Sequence, residues 1–119
     1  MEITIATLGI FVFASLAHFI FDFCFQNEWI ANNKHNVKHP AGYVHALLMT
    51  MPMLFFFPPW AAILIGVTHF IIDTRVPIKY WMNMMRSNLP NEPWFFYVAI
   101  TVDQIWHITI IAILAFICG

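Results

Sequence analysis

Charge is what this chain lacks most. Only 9% of its 119 residues are Asp, Glu, Lys or Arg, against about 25% in soluble domains. With 61% hydrophobic residues and a mean hydropathy of +0.76, a water-soluble fold is excluded. A domain this small could not hide so much apolar surface, because surface-to-volume scaling limits its core. The membrane is the solvent. There is no basic patch, so nucleic acid is not an expected partner. Basic residues are also missing from Met1-Glu2-Ile3, and the first apolar stretch ends in Phe23-Cys24-Phe25-Gln26. It therefore lacks both the charged start and the small-residue cleavage site of a secretory signal, and is expected to be retained. The two cysteines, Cys24 and Cys118, fall in different apolar segments expected at opposite membrane faces. They read as buried hydrophobes, not as a disulfide.

Four apolar segments are present, at about residues 3–25, 43–57, 60–76 and 94–118. They predict an all-α fold, an integral membrane four-helix bundle that makes one transmembrane domain of residues 1–119. The outer segments have the length of about 20 residues that a bilayer demands, and the middle two are short. Pro58-Pro59 predicts a tight antiparallel turn between them, and Pro52 a kink in the second helix. Between helices three and four, Tyr80 to Pro93 mixes Trp81, Met82, Met84 and Met85 with Asn83, Arg86 and Asn88. That mixture predicts a short interfacial element. Trp29, Trp60, Trp81 and Trp94 fall at segment boundaries, as an aromatic belt would place them.

Against this apolar background, every aspartate sits four residues from a histidine: His18–Asp22, His69–Asp73 and Asp103–His107. Chance would arrange this about once in a thousand sequences of the same composition. Residues four apart share one helix face, and ionisable residues inside a membrane read as functional. With His45 in the second segment, seven candidate ligands result: His18, Asp22, His45, His69, Asp73, Asp103 and His107. Imidazole mixed with carboxylate suits a divalent transition metal, zinc foremost, and suits Mg²⁺ or Ca²⁺ less. Seven ligands exceed one ion's coordination, so either some of them orient the others or two ions are bound. Three carboxylates carry −3; one divalent ion leaves −1 and two leave +1, which leans towards two. Gln26, Gln104, Lys34 and Arg75 are candidates for orienting ligands or holding an anion. Two alternatives stand beside the metal. His45 alone reads as a helix-packing hydrogen bonder, and the pairs as interhelical glue, although three pairs exceed what packing needs. His35 and His39, beside lysines, read as a solvated loop.

The ordered blocks resemble a known family. His18-Phe-Ile-Phe-Asp22-Phe-Cys-Phe-Gln26, then Trp29 and Ala31-Asn32-Asn33-Lys34, is similar to the opening signature of small uncharacterised bacterial and phage integral membrane proteins, catalogued as a domain of unknown function. His45-Ala-Leu-Leu, His69-Phe-Ile-Ile-Asp73 and Asp103-Gln104-Ile-Trp-His107 resemble its remaining blocks, in order. Where that family tends to carry a Lys close behind the second Asp, this chain has Arg75 and then Lys79. The resemblance implies no activity. At the level of fold only, the pattern also resembles membrane-bound metal-dependent hydrolases.

The expected function is therefore a metal-dependent hydrolase acting on a lipid or lipid-linked phosphoryl or acyl substrate. A metal-activated water would attack, with Asp22, Asp73 or Asp103, whichever is not a ligand, as general base. Membrane lipids are the expected partners, and a homo-oligomer is compatible with the composition. The alternatives are a transporter or channel for protons or divalent metal, and a regulatory membrane protein with a structural metal. All five basic residues lie in the two longer loops: Lys34 and Lys38 in one, Arg75, Lys79 and Arg86 in the other. The positive-inside rule then puts both termini outside a bacterial inner membrane and the site near its cytoplasmic face. Cysteine labelling tests this. In a chain without Cys24 and Cys118, Asn36→Cys should be shielded from an impermeant reagent in intact cells, and Gly119→Cys should react.

Overall fold

Short polar side chains and prolines set the helix starts. In a computed structural model of the protein, which describes residues 3–85 and 95–119, Thr4 caps α1 (Ile5–Phe19) by accepting from the Thr7 amide at 3.0 Å. A π-helical turn, Ile20–Cys24, continues α1. Asn27 caps α2 (Glu28–Asn33) by accepting from the Ile30 amide. α3 (Pro40–Met53) starts on Pro40, behind His39, whose Nδ1 accepts from the Ala41 amide. His39 also meets the Trp29 ring edge-on at 5.3 Å, so it is a capping residue and not free loop. Pro58, held extended by the proline after it, leads into α4 (Pro59–Asp73). α5 (Val76–Met85) and α6 (Phe95–Cys118) follow. The described residues are helical, with no strand among them.

The long helices pack side by side, α1 on α3, α3 on α4, α4 on α6 and α6 on α1, with α2 against α3 and α5 against α4 and α6. Their polarity is inverted relative to a soluble protein. Val12, Leu47, Ile63, Ile105 and Ile113 are exposed, while His18, Asp22, His45, His69, Asp73 and His107 are buried. Exposed apolar surface on this scale fits a membrane protein. Ile5–Cys24 and Tyr97–Cys118 are long and apolar enough to cross a membrane, and a third stretch is if α4 and α5 form one span bent by 60°. α3 has 14 residues and rises only about 21 Å, short of a hydrocarbon core of about 30 Å. Pro52 lies in the last turn of α3, so it ends that helix instead of kinking it at mid-length.

The interfacial element begins earlier than the sequence suggests. α5 starts at Val76, because the chain turns a corner just before it. Thr74 Oγ1 closes α4 by donating to the Ile71 carbonyl, and Arg75 takes a left-handed backbone with φ 65°. Ile78 and Met82 of α5 then pack on Val98, Ala99, Val102 and Trp106 of α6, leaving Tyr80, Trp81, Met84 and Met85 exposed. Arg86, Asn88, the rest of that element to Pro93, and Trp94 lie outside the described residues.

At one end of the assembly a dry layer holds Ala14, Met53, Phe57, Ala61, Ile65, Ile111 and Leu114. α2 and the α4–α5 corner sit at the opposite end, where the ionisable residues gather. Between the two, α3 and α4 approach closely at Gly66. A Cβ there would overlap Thr50 Oγ1 and stand 3.2 Å from Thr50 Cβ. Gly66→Ala should therefore destabilise the protein by about 1–3 kcal/mol through overpacking. Adding Thr50→Ala, which removes the overlapping hydroxyl, should recover part of that loss. Unfolding midpoints in detergent micelles measure both.

Candidate functional site

The site residues lie on helix faces that the packing already buries. On α4, Ala62, Ile65, Gly66, His69, Ile72 and Asp73 recur every three or four residues and are buried. On α3, Gly42, His45, Met49 and Met53 do the same. α1 brings His18, and the π turn brings Asp22, a kind of helical irregularity that recurs at functional sites. Small residues let these faces meet. A Cβ on Gly42 would stand 2.9 Å from the Lys34 carbonyl oxygen and 3.0 Å from the Phe70 ring.

Five of the seven candidate ligands form a continuous chain of contacts. His45 Nε2 lies 3.1 Å from Asp22 Oδ1 and 2.9 Å from His69 Nε2. His69 Nε2 lies 2.9 Å from Asp73 Oδ2, and His107 Nε2 lies 3.4 Å from Asp73 Oδ1. The His69 and His107 rings stack with centroids 4.0 Å apart. Two sets of three ligand atoms follow, Asp22, His45 and His69, then His69, Asp73 and His107, each with all its atoms within 4.8 Å of one another. Both sets need His69.

This chain is short of protons. His45 Nε2 and His69 Nε2, 2.9 Å apart, can share one hydrogen, yet each also faces a carboxylate oxygen that wants one. The outward nitrogens bring no relief, for Nδ1 of His18, His45 and His69 is buried without a hydrogen-bond partner among the described residues. Each unpaired buried polar atom costs about 1–3 kcal/mol. Such a donor set is suited to a divalent cation, which satisfies inward lone pairs without protons.

His18 and Asp103 join through Gln104. The Gln104 carbonyl accepts from His18 Nε2 at 3.1 Å, so that nitrogen is a donor and not a free ligand. Gln104 Nε2 donates to Asp22 Oδ2 and Asp103 Oδ2, both at 3.0 Å. Asp103 also stands 3.5 Å from His107 Nε2 and is 17% exposed, unlike the other carboxylates. Lys34, a candidate for orienting a ligand or holding an anion, reaches inward. Its ammonium is 3.5 Å from Asp22 Oδ1 and 3.8 Å from Asp73 Oδ2.

Asp22, Asp73, Asp103, Lys34 and Gln104 line a cavity of about 410 Å³, with Arg75 and Lys79 on its exposed rim. It continues past Asp103 to Ala99 and Ile100, which is how Asp103, deep along α6, reaches the same space as Asp22 and Asp73. Gln26 is no longer on the helical face of His18 and Asp22, because that helix ends at Cys24, but it lines the cavity with a buried, unpartnered Oε1. Sequence reasoning passed over Lys79, whose spacing of four from Arg75 was the available signal.

Residues 10–118, which hold every one of these side chains, match the family described as Protein of unknown function (DUF3307). The chain belongs to that family. Comparison with curated proteins and with solved structures gave no match. For this DUF3307 chain the contacts made by Gln104 give a direct test. Gln104→Leu removes a donor from Asp22 and Asp103 and the acceptor of His18, and should lose about 1–3 kcal/mol for each buried group left unpaired. Gln104→Glu keeps the acceptor but sets a carboxylate against two others, and should lose more. Detergent unfolding curves rank the two.

Proposed function

We propose that the chain is a multi-pass four-helix membrane protein holding a divalent transition metal, zinc foremost, and that it is a metal-dependent hydrolase. Its substrate would be a lipid or lipid-linked phosphoryl or acyl compound at the cytoplasmic leaflet of a bacterial inner membrane. The observation that carries this reading is the proton-poor set of Asp22, His45, His69, Asp73 and His107, whose two carboxylates line an open cavity. One ion suits these residues better than two. Both ligand sets require the single Nε2 of His69, and Lys34 already offsets part of the carboxylate charge that two ions would have to meet.

A bound divalent ion would supply Lewis acidity and lower the pKa of a coordinated water towards neutrality. The chain's own groups would divide the remaining work. Asp103 stands outside both ligand sets, faces the cavity and is fixed by Gln104, so it is placed to take a proton from attacking water. Lys34 and Gln104 hold Asp22 in position, the orienting role that neighbours of ligands commonly have.

Against a transporter stands the apolar layer of Ala14, Met53, Phe57, Ala61, Ile65, Ile111 and Leu114, which offers ions and protons no polar relay. Against a purely structural metal stands the cavity, which reaches Asp103. The position of Lys34, Arg75 and Lys79 at the site end favours a cytoplasm-facing mouth, with the termini outside.

Elemental analysis of the purified protein tests the centre, and should return one ion of zinc or a similar metal per chain. Asp73→Asn and His69→Ala should lose it. Asp103→Asn should keep it while lowering hydrolysis of lipid phosphates by about 10²–10⁴-fold, the usual contribution of a general base. A metal-free wild type, with Asp→Asn variants equally stable, would leave interhelical packing as the account of the cluster.

A further inference from the structure

We infer that the cavity is a phosphate site whose ligand is the phosphate monoester head of a lipid. The inference rests on the single-ion hydrolase reading, and narrows it from phosphoryl or acyl substrates to one class. The first ground is charge. Three carboxylates, Asp22, Asp73 and Asp103, and three cations, Lys34, Arg75 and Lys79, line the cavity. They cancel, so one divalent ion leaves two positive charges. A phosphate monoester, which carries about −1.5 to −2 near neutral pH, balances them. A neutral acyl ester does not.

The second ground is which cations are free. Lys34 is engaged by Asp22 and Asp73, whereas neither Arg75 nor Lys79 has an ion pair among the described residues. The Lys79 amide donates to the Arg75 carbonyl at 2.9 Å, which sets the two residues one helical turn apart at the rim. The third ground is the Arg75 backbone. A left-handed φ of 65° is costly for any residue but glycine, with asparagine the usual exception, and this corner holds a guanidinium. Guanidinium and ammonium together bind phosphate oxygens through charge-assisted hydrogen bonds.

The apolar wall decides for a lipid over a soluble phosphate. Phe23, Ile78, Ala99 and Ile100 complete the lining, and Phe23 and Ile100 are exposed on the outer surface of the bundle. A chain attached to the bound phosphate leaves sideways over these residues, into the hydrocarbon that the exposed faces of α1 and α6 require.

The test uses the full chain, zinc-loaded, in nonionic detergent. It is titrated calorimetrically with micelles carrying phosphatidic acid, phosphatidylcholine or diacylglycerol, and separately with inorganic phosphate. Phosphatidic acid should bind, and the two lipids without a phosphate monoester should not. Arg75→Asn, which keeps a residue tolerant of the left-handed backbone, and Lys79→Gln should each weaken binding about tenfold. Lys38→Gln, a cation outside the cavity, should leave it unchanged. Equal binding of all three lipids, or unchanged affinity in both rim variants, overturns the site. Inorganic phosphate binding without phosphatidic acid overturns the lipid assignment. Metal content of the same samples separates the two readings. Metal present with no phosphatidic acid bound sinks the phosphate site alone. Metal absent, with phosphatidic acid bound through Arg75 and Lys79, sinks the centre and upholds the site.

Discussion

Carboxylates cannot stay ionised in an apolar interior without partners, and the whole protein is arranged around that constraint. Removing an ionised carboxylate from water costs several kcal/mol even after relaxation. Asp22 and Asp73 are each nearly inaccessible, and imidazoles of α3, α4 and α6, the Gln104 amide and the Lys34 ammonium surround them. These partners come from three helices and one connecting segment. Satisfying the carboxylates therefore draws the helices together, which matters most for helices able to cross a membrane, since lipid leaves little hydrophobic driving force between them.

Packing and site make opposite demands, and they are met at opposite ends. The layer around Ala14, Met53, Ala61, Ile111 and Leu114 is dry, small and closely fitted. The ionisable end is held apart enough to leave a cavity, with α5 folded across its flank through Ile78 and Met82. The left-handed corner at Arg75 is what lets the chain turn there, by 60° over a two-residue break. The brevity of α3 fits the same plan, since the site end need not lie at full hydrocarbon depth if it opens to the headgroup layer.

Much of this was legible in the sequence. The low charge, the segment lengths and the four-residue pairs point to membrane-compatible helices and to the candidate ligands, because burial cost and helical period act locally. The limits are equally physical. His18 and His45 look alike in sequence, one four residues from an aspartate and one alone. In the folded chain His45 touches Asp22 and His69, while His18 is taken by Gln104. Which imidazole meets which carboxylate depends on the order of helices round the bundle, and no local pattern encodes that order. The choice for Lys34 between orienting a ligand and holding an anion was open for the same reason. It needs the loop folded over two buried acids.

By itself the sequence determined that the chain has segments apolar enough to cross a membrane, that the fold is helical, and that Asp22, Asp73 and Asp103 each stand four residues from a histidine. Those properties follow from composition and from a period of 3.6 residues. Only the tertiary structure decided that His69 belongs to both ligand sets, that Gln104 binds α6 to Asp22, and that Arg75 and Lys79 stand at a cavity mouth with no ion pair among the described residues. Those depend on contacts between residues up to 86 positions apart, set by how the helices pack and where the chain turns.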